Sequence, residues 1–61
     1  MKITMFLKSG EDFQSSEFDE LGVDDIQDLA DNMANEKVIV MKTDDGTVAI
    51  PKENISYWVI K

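Results

Sequence analysis

The chain has 61 residues, with 13 acidic and 6 basic side chains and neither cysteine nor histidine. This length allows one small domain over residues 1–61, which buries only about 60% of the surface that its unfolded chain exposes. Without cysteine or histidine there is no disulfide framework, no zinc site of the usual kind and no histidine-activated nucleophile. Composition therefore favours a domain of marginal stability that a partner chain would help to stabilise.

The net charge of −7 is unevenly distributed along the chain. Residues 9–36 contain ten carboxylates and no lysine, whereas the remaining residues hold all six lysines and three carboxylates. Arginine, whose planar side chain most often grips phosphate, is absent. We therefore expect no direct binding of nucleic acid.

The apolar run near the N-terminus is too short for a signal peptide or a membrane span, and Lys8 closes it. A domain of this size without cystine is more typical of the cytosol than of secreted proteins. We expect a soluble, cytoplasmic protein that does not bind membranes.

Two strands are predicted before the helix. Ile3, Met5 and Leu7 recur with the period of a strand. Residues 9–12 have the composition of a turn, and residues 13–18 are predicted to return as a short second strand.

A helix is predicted over residues 24–36. Its apolar residues fall on one stripe at helical spacing: Ile26, Leu29, Ala30 and Met33. Asp24 is placed to cap the first turn, and Gln27 three residues later completes a looser form of the capping box. Opposite the apolar stripe, Asp24, Asp28 and Asp31 form an acidic row that faces solvent.

Three more strands are predicted after the helix, over residues 37–43, 47–50 and 55–60. The sequence Asp44-Asp45-Gly46 is a hairpin signal, because glycine adopts the positive φ that such turns require. Pro51 cannot donate to a ladder and ends the fourth strand. The prediction is an α+β fold of order ββαβββ, with one amphipathic helix on a small antiparallel sheet of four to five strands.

Both faces of the predicted sheet carry apolar residues, and one helix covers only one face. Either the sheet curls into a small barrel or another chain covers the second face. Tyr57 and Trp58 are adjacent in one strand and face opposite sides, so in an open sheet at most one joins the core and the other is an interface anchor; a strongly curved sheet buries both. The predicted protein interface consists of Phe6, Ile39, Met41, Trp58 and Ile60.

The acidic row has two interpretations. Spaced carboxylates mimic nucleic-acid phosphates and bind a basic site on another protein, or they simply form the solvated side of a helix. The turn at residues 44–46 does not match a calcium loop, because Met41 and Thr43 stand where oxygen ligands are needed. No metal, cofactor or catalytic residue is predicted, since no base is present to activate a serine and the chain has little room for a pocket.

In outline, residues 1–4 (MKIT), 8–11 (KSGE) and 50–57 (IPKENISY) resemble short proteins of Gram-positive bacteriophages and prophages. The resemblance implies an accessory protein that binds itself or a host protein, and it carries no catalytic residues. The strand, corner and strand at the end also resemble small SH3-like barrels. The alternative fold is therefore such a barrel with an inserted helix.

Together these features predict a non-enzymatic, phage-type accessory protein that acts by protein–protein contact. We expect it to form a homodimer or small oligomer through an apolar sheet face. The alternative function is an acidic inhibitor or nucleic-acid mimic, which uses Asp24, Asp28 and Asp31 to occupy a basic site on a host or defence protein.

Overall fold

The computed structural model describes residues 1–61 and has five strands and one helix in the order ββαβββ. The elements are β1 (Ile3–Leu7), β2 (Asp12–Gln14), α1 (Val23–Asn35), β3 (Val38–Thr43), β4 (Gly46–Pro51) and β5 (Ile55–Ile60), with a 3₁₀ turn at Lys52–Asn54 between β4 and β5. The predicted α+β class and element order are confirmed.

The five strands divide between two antiparallel sheets, β2-β1-β5 and β3-β4. Just beyond β2, the backbone N–H of Ser16 donates to the carbonyl of Lys42 in β3 at 2.9 Å, which links the two sheets. Neighbouring strands therefore follow one another around the core as β5, β1, β2, β3 and β4. The apolar inner faces of both sheets meet in this one core, which is how the chain buries more apolar surface than a single helix could cover.

Seven buried apolar residues form the core: Ile3, Met5, Met33, Ile39, Met41, Ile50 and Ile55. They come from β1, β3, β4, β5 and the helix, so every long element contributes. Met5 has no exposed surface and lies in β1, between Phe13 of β2 and Trp58 of β5. β1 is therefore the central strand of the three-stranded sheet.

The prediction that Ile39 and Met41 belong to a protein interface is wrong. Each is only 6% exposed, and they lie opposite Ile50 and Val48 across the hairpin. The hairpin brings the bulkier side chains of both strands to the same face, and that face packs on the core. A partner could reach Ile39 or Met41 only if the domain opened.

The predicted hairpin is confirmed, with Thr43 opposite Gly46 across a two-residue turn. Gly46 has φ +144°, a conformation that residues with a side chain rarely adopt. The Thr43 hydroxyl donates to the Gly46 carbonyl at 2.9 Å and accepts from the Asp45 N–H at 3.3 Å. The threonine side chain thus holds together the turn that the glycine allows.

The helix lies within one residue of its predicted bounds, but the predicted cap at Asp24 is wrong. Gly22 is the N-cap, and no side chain accepts a hydrogen bond there. Asp24 lies two residues inside the helix, where its charge suits the positive end of the helix dipole. At the C-terminal end of the helix, the Lys52 ammonium donates a hydrogen bond to the Ala34 carbonyl. Met33 is the helix residue that is buried.

Thirteen residues long, this helix is neither long enough nor apolar enough to cross a membrane.

A bulge near the start of β5 changes which of its side chains face inward. Phe6 lies opposite Tyr57, whereas the next residue, Leu7, lies opposite Ile55, so Ser56 has no partner in the register. A strand without a bulge would place Ile55 and Tyr57 on the same face. Because of the extra residue, Ile55 is 8% exposed and Tyr57 is 55% exposed.

β2 ends at Gln14, earlier than predicted, because Ser15 makes different contacts with β1. Its backbone N–H donates to the Ile3 carbonyl at 2.8 Å, and its Oγ accepts from the Ile3 N–H, also at 2.8 Å. Ser15 is 6% exposed and is the buried polar residue of the chain. Farther on, the Phe18 N–H donates to the Met1 carbonyl at 2.9 Å, so this segment still covers the edge of β1.

We expect Ser15→Ala to lower the free energy of unfolding by about 1–3 kcal/mol, because the buried Ile3 N–H loses its acceptor. Urea unfolding followed by tryptophan fluorescence measures the change. Ser16→Ala is the matched control, because Ser16 bonds to β3 through its backbone. Equal losses in the two variants would show that the Ser15 hydroxyl has no special role.

Candidate protein-interaction surface

The outer face of the three-stranded sheet is made by the side chains that alternate with the core residues of β1. The register brings them together from all three strands: Thr4, Phe6, Asp12, Gln14, Tyr57 and Val59. The helix does not cover this face, because its buried side chain, Met33, joins the core on the inner side, and Asp12, Gln14 and Tyr57 are exposed.

Phe6 and Tyr57 form a stacked aromatic pair on this outer face. Their ring centroids are 4.7 Å apart and their planes meet at 19°. Tyr57 is 55% exposed, and Phe6 is half-buried beside it. The stack holds a large aromatic surface in a fixed orientation toward solvent, which is the property of an interface anchor.

Trp58 and Ile60 do not share a face with Phe6, contrary to the predicted interface. They lie opposite Met5 and Ile3, and both pack against the core. Of the two adjacent aromatics, the tryptophan therefore points inward and Tyr57 outward. Trp58 and Ile60 are only half-buried, because β5 is the last strand on this side of the sheet.

The backbone of β5 has one unpaired edge. Beyond the end of the strand, Lys2 and Lys61 exchange two backbone hydrogen bonds of 3.0 and 2.9 Å. Alternate residues of an antiparallel strand bond to the same neighbour, so Val59 and Tyr57 also bond to β1. The N–H and C=O groups of Trp58 and Ile60 then point away from β1, toward the edge where no strand follows.

β4 lies at the other end of the strand order, and a proline lies on its open edge. The N–H of Lys52 bonds to Lys37 in the direction of β3, so the groups of Pro51 face the open side. Proline has no N–H and blocks the addition of a strand there. β5 has no proline and no charged residue, so nothing in its own sequence blocks pairing at its edge.

A second apolar surface lies on the outside of the hairpin. Val38 and Val40 are 45% and 67% exposed, and exposed Pro51 and Ala49 lie opposite them. Sequence reasoning missed these valines, although a signal was present. A two-residue turn places alanine and proline opposite the two valines, and isoleucine and valine opposite Ile39 and Met41. The face with the smaller side chains is the one expected to lie outside.

The acidic row lies where the helical wheel predicts. Asp24, Asp28 and Asp31 are all exposed, and Asp31 accepts a hydrogen bond of 3.1 Å from the Gln27 amide one turn earlier. With no lysine in residues 9–36, their charges meet no cation from their own segment. The row is therefore accessible to a basic partner.

A cleft of about 380 Å³ lies between β2 and the hairpin turn, and Asp12, Asp44 and Asp45 are among the residues that line it. No group of three or more potential ligands is placed there to hold a metal ion.

The chain matches no family model, no curated protein and no solved structure.

Trp58→Ala should destabilise the domain more than Tyr57→Ala. Removing a half-buried tryptophan from the core costs roughly 2–4 kcal/mol, somewhat less than for a fully buried one. Losing the exposed stack costs about 0.5–1.5 kcal/mol. Thermal unfolding followed by circular dichroism compares the variants, and the reverse order would contradict the assignment of faces.

Proposed function

We propose that this protein is a small, non-enzymatic accessory protein of the phage type that its sequence resembles. It acts in the cytoplasm by protein–protein contact and self-associates through the β5 side of its three-stranded sheet. The observation that carries the proposal is the unprotected edge of β5, which lies beside the exposed Phe6–Tyr57 stack.

The small core supports association. Seven buried apolar residues in a chain of 61 leave a narrow margin of stability. A partner that binds only the folded state stabilises it by mass action. Covering Tyr57 and the edge of β5 removes apolar surface and unpaired backbone groups from water together.

Self-association should strengthen as salt is added. Each copy carries a net charge of −7, and salt screens the repulsion between two such copies. The contact surface itself is apolar, and salt does not weaken it. Sedimentation velocity over a range of protein and sodium chloride concentrations measures the effect, and a strict monomer throughout would refute self-association.

Val59→Glu should weaken self-association at least tenfold, because it places a carboxylate on the outer face of β5, within the apolar contact. Val40→Glu is the matched control, since Val40 is also an outward-facing apolar strand residue but lies on the hairpin. Sedimentation equilibrium gives both dissociation constants. If only the Val40 variant weakened association, the contact would lie on the hairpin face instead.

A second candidate function follows from the exposure of the acidic row. In this alternative the protein is an inhibitor or nucleic-acid mimic, and Asp24, Asp28 and Asp31 occupy a basic site on a host or defence protein. All three carboxylates are free to approach a partner, which favours the alternative.

The combined change of Asp24, Asp28 and Asp31 to Asn should abolish binding to such a partner and leave self-association intact. Binding between oppositely charged surfaces should also weaken sharply with salt, the reverse of self-association. Pull-down from host lysate at low and high salt, with wild type and the triple variant, makes both comparisons. Capture that survives the triple change would refute the mimic.

A further inference from the structure

We propose that two copies of the chain pair through residues 57–61 at the open edge of β5. The two strands run antiparallel about a two-fold axis at Val59, so two three-stranded sheets become one continuous sheet. This inference rests on the proposed self-association and specifies its geometry.

The backbone at the edge of β5 suits a second copy of itself. Trp58 and Ile60 present their N–H and C=O groups at a spacing of two residues. An antiparallel copy of the strand presents the same groups in the opposite order. Trp58 of each copy then lies opposite Ile60 of the other, which forms about four backbone hydrogen bonds.

The bulge at Ser56 decides the register. It interrupts the regular alternation of the strand, so past the bulge Trp58 and Ile60 are the residues of β5 whose backbone groups face the open edge. Val59 lies midway between them, and a two-fold axis there pairs both residues. Val59 then lies opposite Val59 of the other copy, in the closely spaced type of antiparallel pair.

The side chains fit this register on both faces. On the outer face Tyr57 lies opposite Lys61 of the other copy, whose apolar stem and ammonium group both suit an aromatic ring. On the inner face the half-buried Trp58 covers Ile60 of the other copy. The two Lys61 residues lie at opposite ends of the paired stretch, roughly 13 Å apart at the usual rise per residue and beyond the screening length at physiological salt, about 8 Å.

The same geometry ends the assembly at two copies. In the dimer the open edges of both β5 strands are paired with each other. The β2 strand of each copy then forms an outer edge of the combined sheet. That strand has three residues and leads directly into the hydrogen bond from Ser16 to β3, so it offers no free edge of useful length. The result is a closed dimer rather than a fibre.

Disulfide trapping tests the register in a chain that has no cysteine of its own. A closely spaced antiparallel pair has Cα atoms about 4.5 Å apart, within the range of a disulfide. Val59→Cys should therefore oxidise to a covalent dimer at least ten times faster than Gln14→Cys. Gln14 is exposed on the same face but lies on β2, away from the axis.

Amide hydrogen exchange tests the same contact without a substitution. The Trp58 and Ile60 amides should exchange at least tenfold more slowly at concentrations where the wild type is dimeric. The Val59 amide, already bonded to β1, should be protected at every concentration.

Three outcomes would overturn the inference. Equal crosslinking of Val59→Cys and Gln14→Cys in a wild type that self-associates would move the contact elsewhere and leave the proposed function standing. Protection of Trp58 and Ile60 that requires a different protein would replace the second copy by another partner. A wild type that is monomeric at all concentrations would refute both the pairing and the proposed self-association.

Discussion

β1 lies between two segments that come from opposite parts of the sequence, and the rest of the structure depends on this double pairing. One edge bonds to β2 and the segment after it, and the other bonds to β5 at the end of the chain. Met5 is fully buried at the centre because strands flank it on both sides and the hairpin residues pack on its inner face. A chain of this size has little other core, so the contacts of β1 largely determine whether it folds.

The periodic features of the fold could be predicted from the sequence because they depend on near neighbours. Alternation in β1, the glycine of the hairpin, the proline at the end of β4 and the apolar stripe of the helix all act within a few residues. The Ser15 hydrogen bond and the bulge at Ser56 depend on where β1 lies in space, and no local sequence pattern indicates either feature. The start of the helix is a further example. Asp24 has the side chain of a good N-cap, but the path of the chain places Gly22 at that position.

The sequence predicts an exposed apolar sheet face, and the structure has one, but its residues differ from the predicted set. The apolar residues on both faces of the strands correctly imply that one helix leaves some apolar surface exposed. The same reasoning wrongly places Ile39 and Met41 on that exposed surface. The error came from treating each strand separately, because the hairpin register pairs these residues with the other bulky side chains. Tyr57 and Trp58 could not be separated by alternation alone, since the pairing of Trp58 with Met5 decides which ring faces the core.

The distribution of charge explains how an open edge and a strongly acidic chain can coexist. An unprotected apolar strand invites unwanted pairing, and natural proteins usually block it with charge or proline. Here the protection is indirect. β5 itself is uncharged, and the net charge of −7 carried largely by residues 9–36 keeps molecules apart at long range. Such repulsion falls off with salt and distance, whereas hydrogen bonds and apolar contact act only when two edges meet in register. The acidic segment thereby disfavours loose aggregation more than a specific pairing, and it can do so whether or not it also binds a basic partner.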